Sequence, residues 1–216
     1  MPDIYSGLND GWILKSDSSF SGAREATAGT SANSTASSNN FAVRTSLSSG
    51  RGGNTYYITR SFFYFDTSSV VYTPVSATLK IYGVANGAAD LRVVKSTQGV
   101  SLGLAVVDFD SIVGWDHDAD NSSNVTYYDL AETTTWSTSG YNEITLNATA
   151  LQDIAALDTF KCCLIEHDYD LRNDDSGMSA VNYSGLYYAN NTGTSKDPNI
   201  SYTVADNDAV FFGANF

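Results

Sequence analysis

The sequence predicts an all-β protein: a two-sheet antiparallel jelly-roll sandwich with one short helix. Three observations predict it. Short segments rich in β-branched and aromatic residues recur along the chain, separated by clusters of Gly, Asn, Asp and Ser. The best patterned of them alternate apolar and polar residues with period two, the mark of a strand with one buried face. Only residues 148–157 carry apolar side chains at helical spacing. With 216 residues, 42% of them hydrophobic and 12% aromatic, the chain can fill a core.

The elements follow in order. Residues 11–15, Gly-Trp-Ile-Leu-Lys, are the first expected strand. Residues 26–40 hold no large apolar side chain and read as a long loop or flexible arm. Residues 41–47 alternate as a strand, and Gly50-Arg51-Gly52-Gly53 lies in a glycine-rich turn. The strongest strand spans 55–65, with Tyr56, Tyr57, Ile58, Phe62, Phe63, Tyr64 and Phe65. Past Pro74, Ala77, Leu79 and Ile81 fall on one face, with Thr78, Lys80 and Tyr82 on the other. Asn86-Gly87 reads as a turn before a strand at 91–95, and residues 96–124 read as irregular. Further strands are expected at 125–130 and 142–147, the latter with Ile144 and Leu146 inward.

In the helix, Leu151, Ile154 and Ala155 share a face that would plug one end of the sandwich. Residues 160–165 are apolar on both faces and predict a central strand covered on both sides. Its adjacent cysteines, Cys162 and Cys163, point to opposite faces and read as buried thiols, not a disulfide. Strands at 183–188 and 200–204 complete the set. In the last, Ile200, Tyr202 and Val204 alternate against Asn199, Ser201 and Thr203. The chain divides into an N-terminal arm with first strands (1–54), a jelly-roll body forming one domain with them (55–204), and an apolar tail (205–216).

A formal net charge of −13 repels phosphate backbones and argues against nucleic acid as a partner. No segment approaches the ~18 consecutive apolar residues of a membrane helix, so no membrane insertion is expected. Residues 1–5, Met-Pro-Asp-Ile-Tyr, have neither a basic nor an apolar leader region, so no signal peptide is expected.

Three segments carry a family resemblance. Arg60-Ser61-Phe62-Phe63-Tyr64-Phe65-Asp66-Thr67-Ser68-Ser69-Val70 is followed by Val75-Ser76-Ala77-Thr78-Leu79-Lys80-Ile81-Tyr82. The second segment is Asn142-Glu143-Ile144-Thr145-Leu146-Asn147, and the third closes with Pro198-Asn199-Ile200-Ser201-Tyr202-Thr203-Val204. Together they resemble the DNRLRE or carbohydrate-binding-module-like jelly-roll domains. Members of that family occur beside glycan-active enzymes, on cell surfaces and in phage structural proteins. The resemblance implies a non-enzymatic phage virion protein: a head decoration, a fibre or a tail-fibre component. Such a protein would form homo-oligomers, contact other virion proteins and attach to a surface, including cell-surface glycans. A stand-alone carbohydrate-binding module is the alternative, and a polysaccharide hydrolase a third reading. The tail residues Phe211, Phe212 and Phe216 would serve assembly, as an anchor into a neighbouring subunit or as a last strand on their own domain.

No cofactor is expected apart from a candidate Ca²⁺: Asp116, Asp118 and Asp120 alternate like the start of a calcium loop. However, Tyr127 stands where the closing Glu belongs, and Asn121 where the central Gly belongs. Asp168, Asp170, Asp174 and Asp175 form a second acidic loop. Solvated turns are the competing reading of both. His117 and His167 stand without a nucleophile motif. Glu25, Glu132, Glu143 and Glu166 show no pairing across a cleft, and Glu143 faces outward. No catalytic residue is therefore expected. For sugar binding, which wants a flat aromatic beside polar groups, the candidates are Trp115, Trp136, Tyr127 and Tyr128. Core aromatics are the competing reading.

Overall fold

The computed structural model describes residues 2–124, 126–128 and 135–205. Among them, eleven strands pair in antiparallel ladders around two short α-helices. The first half of the chain holds β1 (Asp3–Tyr5), β2 (Gly11–Asp17), α1 (Phe20–Arg24), β3 (Ser31–Asn33), β4 (Ser38–Gly50), β5 (Gly53–Asp66), β6 (Ser76–Gly87) and β7 (Leu91–Lys95). The second half holds β8 (Tyr141–Thr145), α2 (Ala148–Ala156), β9 (Thr159–Glu166), β10 (Tyr183–Tyr187) and β11 (Asn199–Thr203). No helix among the described residues is long and apolar enough to cross a membrane.

Two long strands organise the sheet. β5 has β2 along one edge. Its other edge pairs with β4 over the first half and with β9 over the second. β6 has β8 along one edge, with β11 and then β10 along the other. One layer is thus β1-β11-β6-β8 and the other β3-β2-β5-β9-β7, with β4 and β10 joining them. The two expected sheets are therefore connected by hydrogen bonds, because β5 and β6 are long enough to change partners along their length. The β4–β5 hairpin turns on Arg51 and Gly52, and Gly53 completes it at φ +105°, a conformation that L side chains rarely adopt.

Strand alternation gives the β5-β9-β7 layer a core on each face. Phe63, Phe65, Val93, Cys162 and Leu164 face Leu79, Ile81, Ile144 and Ile200 of the opposite layer. Their alternates Ile58, Phe62, Val94, Cys163 and Ile165 face outward. There they meet a cover built from Phe20, Ala23, Phe109, Ile112 and Leu171. β9 is the doubly covered strand its composition predicts, and Cys162 and Cys163 are free thiols in different cores. α2 begins where Asn147 Oδ1 accepts the Ala150 N–H, and it buries Ala150 and Ile154 against the inner core.

Four expectations need correction. Residues 26–40 are not a flexible arm. They hold β3 and the start of β4, and the Thr30 and Gly29 N–H groups donate to Leu14 O and Val106 O. Backbone pairing, not apolar side chains, fixes this segment, and a Cβ at Gly29 would meet Ile13 Cγ2 at 2.4 Å. Asn86-Gly87 is no turn but the end of β6, where Asn86 pairs with Ser184 of β10. α1, only five residues long, is a second helix held by its Ser19 cap and by Phe20 and Ala23 in the outer core. In β11, Asn199 and Ser201 are buried despite facing away from the core, while Val204 is exposed beyond the strand's end. Of the strand expected at 125–130, Val125, Asp129 and Leu130 lie outside the described residues, and Thr126 makes a single bridge to Val94.

Candidate functional site

Directly opposed residues in a ladder point to the same face. With Leu79, Ile81, Ile144 and Ile200 turned inward, the row Tyr5–Asn199–Lys80–Glu143 faces away from the core. So does the row Asp3–Ser201–Thr78–Thr145, and so does the pair Tyr82–Tyr141. The result is a sheet face of mixed charge turned away from the core, with a tyrosine cluster at one end.

The cluster is tightly arranged. The Tyr82 ring lies 5.3 Å from Tyr141 and 5.6 Å from Tyr187, edge-on to both. Lys196 Nζ sits 4.3 Å from the Tyr187 ring centre and 5.3 Å from that of Tyr82. Tyr82 donates its hydroxyl proton to Ser139 O at 2.8 Å, and Tyr141 donates to Asp197 O at 3.1 Å. These bonds fix the ring planes. Partial burial raises the Tyr141 phenol above its ordinary range, so it stays a neutral donor. Lys80 and Glu143 lie 3.7 Å apart in the adjoining row. Such a face offers apolar ring surface beside ammonium and carboxylate groups, the chemistry that a sugar's C–H faces and hydroxyls require.

Of the four sequence-predicted aromatics, Trp136, Tyr127 and Tyr128 are buried and Trp115 is half-buried. Trp136 is buried, and its Nε1 donates to Gly185 O at 2.9 Å. Gly83 leaves room for it, since a Cβ there would lie 2.7 Å from that nitrogen. Tyr127 is fully buried, stacked 4.7 Å from Phe160 and donating to Asp153 Oδ2 at 2.6 Å. Tyr128 belongs to the same core. Trp115 is half-buried, with the guanidinium carbons of Arg60 and Arg24 at 4.1 and 4.6 Å from its ring centre.

Several carboxylates of the acidic loops hold the fold. Asp116 Oδ1 accepts the Asp118 N–H, and Asp120 Oδ1 accepts the Ser122 N–H. The backbone carbonyls of His117 and Ala119 accept from Arg24, which ties this loop to the guanidinium. In the second loop, Asp170 is buried and holds Arg60 through two bonds of 2.7 and 2.8 Å. Asp174 caps the Ser176 N–H. Among the described residues, no group of three or more His, Cys, Asp or Glu side chains is placed to hold a metal.

His167 Nδ1 lies 3.1 Å from Asp168, and His117 Nε2 lies 3.6 Å from Asp110. Glu166 is buried and accepts the N–H groups of Asp168, Tyr169 and Asp170, starting the π-helical turn His167–Leu171. Glu143 is exposed as expected, while Glu132 and the tail residues Phe211, Phe212 and Phe216 lie outside the described residues.

Two groups escaped the sequence reading. Arg60, Arg24, Asp170 and Glu166 form a buried lattice that pins the loops over the outer core. The signal for it was Arg60 on the same face as Ile58 and Phe62, where a charge must find a partner. The tyrosine cluster was half visible, since the period-two pattern turned Tyr82 outward. Its neighbours on β8 and β10 come from distant sequence. No family model matches the chain, and no curated protein matches it.

Proposed function

We propose that this chain is a non-catalytic attachment module that lays its outward tyrosine face against a glycan. Its setting is the one the family resemblance implies, a phage virion in which it serves as head decoration, fibre or tail-fibre component. The observation that carries the reading is the Tyr82–Tyr141–Tyr187 cluster with Lys196, held by side-chain bonds on a face of mixed charge. A stand-alone carbohydrate-binding module would use the same face.

A glycan array on the intact chain tests the site. Binding is expected, weakened about tenfold by Tyr187→Ala or Tyr82→Ala, as loss of one well-placed aromatic contact implies. Tyr72→Ala, at an exposed tyrosine in the 67–75 loop, should bind normally. A blank array, or equal loss in all three variants, overturns the glycan reading. Turnover of a bound polysaccharide overturns the non-catalytic one. Mass spectrometry of purified virions checks the setting separately.

A further inference from the structure

Where β7 leaves the sheet and β9 enters it, the two strand ends frame a pocket of about 290 Å³. Lys95, Ser96 and Thr97 line it from the side of β7, and Leu157, Thr159 and Lys161 from the side of β9. Two ammonium groups thus share one cavity in a chain that carries 24 Asp and Glu against 11 Lys and Arg. Their charges are not balanced alike. Lys95 Nζ lies 2.8 Å from Asp153 Oδ2, which also accepts the Tyr127 hydroxyl. Lys161 Nζ donates to Gln98 O at 2.9 Å, and among the described residues no carboxylate pairs with it. An ammonium has three N–H groups to place, so donors remain for a ligand.

The wall is held in place. Gln98 Nε2 donates to Phe63 O at 2.8 Å, and the Thr97 N–H to Ser111 O at 2.9 Å. Ser96 is 4% exposed, and its Oγ has no hydrogen-bond partner among the described residues. Buried hydroxyls almost always have one, and this one borders the cavity. We infer that this pocket binds a small, singly charged oxyanion, a carboxylate or a sulfate monoester. Two ammonium groups less the Asp153 carboxylate leave one positive charge, which one such oxyanion balances. Thr97 and Thr159 bring hydroxyl groups and Leu157 an apolar side chain, which suits a ligand with a short carbon skeleton. The volume stands at the small end of ligand pockets, as a small organic acid requires. The tyrosine face lies on β6, β8 and β10 and shares no residue with this pocket, so the inference stands apart from the glycan reading.

Amide shifts of the full chain, followed by NMR at fixed ionic strength, test the site with sodium lactate, sodium methyl sulfate and neutral lactamide. Saturable shifts at Thr97, Thr159 and Lys161 are expected with at least one of the two anions, with a Kd on the order of millimolar. Which anion binds tells a carboxylate ligand from a sulfate ester. Lactamide keeps the shape of lactate without its charge and should bind at least about tenfold more weakly. Lys161→Met should lose binding by about the same factor, and Lys161→Arg should keep it. Lys80→Met, on the outward face of the other layer, should leave it unchanged. No saturable shift with either anion, equal binding of lactamide, or full binding by Lys161→Met overturns the site. The lactamide comparison is made on the wild-type chain and depends on no variant's folding.

Discussion

Arg60 sits on the outer face of β5 between Ile58 and Phe62, fully buried, and each nitrogen of its guanidinium has a partner. Asp170 takes two bonds, Phe109 O one at 2.8 Å, and the Phe109 ring lies 4.1 Å away. Arg24 adds a bond to Asp170 O at 2.7 Å and two to the 117–119 loop. Removing one partner of such a pair strands a buried charge. Arg60→Met should therefore cost about 3–5 kcal/mol, and the Arg60→Met/Asp170→Leu double variant clearly less than that. Urea unfolding of both proteins checks this. Equal losses would mean that the pair contributes packing and not charge balance.

At the scale of elements, β9 is the strand on which both cores depend. It lies between β5 and β7 and buries Phe160, Cys162 and Leu164 on one face, with Cys163 and Ile165 on the other. Leu164→Ala removes side-chain volume from a fully buried site and should destabilise by about 2–5 kcal/mol. A loss under 1 kcal/mol in the same unfolding assay would contradict the doubly covered placement. Strands of this kind were readable in advance, because burial on both faces writes itself as an unbroken apolar run. Short elements were not. β1 and β3 have three residues each, and α1 has five, so their stability comes from neighbours far along the chain.

At the scale of the whole molecule, Asp10 ties the first loop to the last third of the chain. Its carboxylate accepts the Ala189 N–H at 3.1 and 3.2 Å. Burial pushes its pKa up to about 7, against the opposing pull of that bond and of Ser6. Burial also raises Glu166 to about 7, against its three N–H donors. Both groups hold their protons more tightly folded than unfolded. Their contribution to stability is therefore full below about pH 4, the range where unfolded carboxyls titrate, and is lost as the pH rises through 7. Denaturant midpoints measured from pH 4 to 8 should fall across that window, and Asp10→Asn should flatten the fall. A midpoint that instead rises with pH in wild type would refute the assignment.

By itself, the sequence determined the antiparallel β architecture, the inward set Ala77, Leu79, Ile81, Ile144 and Ile200, the helix expected over residues 148–157 and found over 148–156, and the free, oppositely facing cysteines. These are local periodicities, and burial on one or both faces imposes them residue by residue. The tertiary structure alone decided which aromatics reach solvent. Trp136 and Tyr127 look like ligand platforms in sequence but are core, while Tyr82, Tyr141 and Tyr187 meet from three strands to make a surface. It also decided that the acidic loops serve Arg24 and Arg60. A contact between residues more than a hundred positions apart, such as Arg60 with Asp170, leaves no period in the chain, because it is set by strand pairing and not by spacing along the sequence.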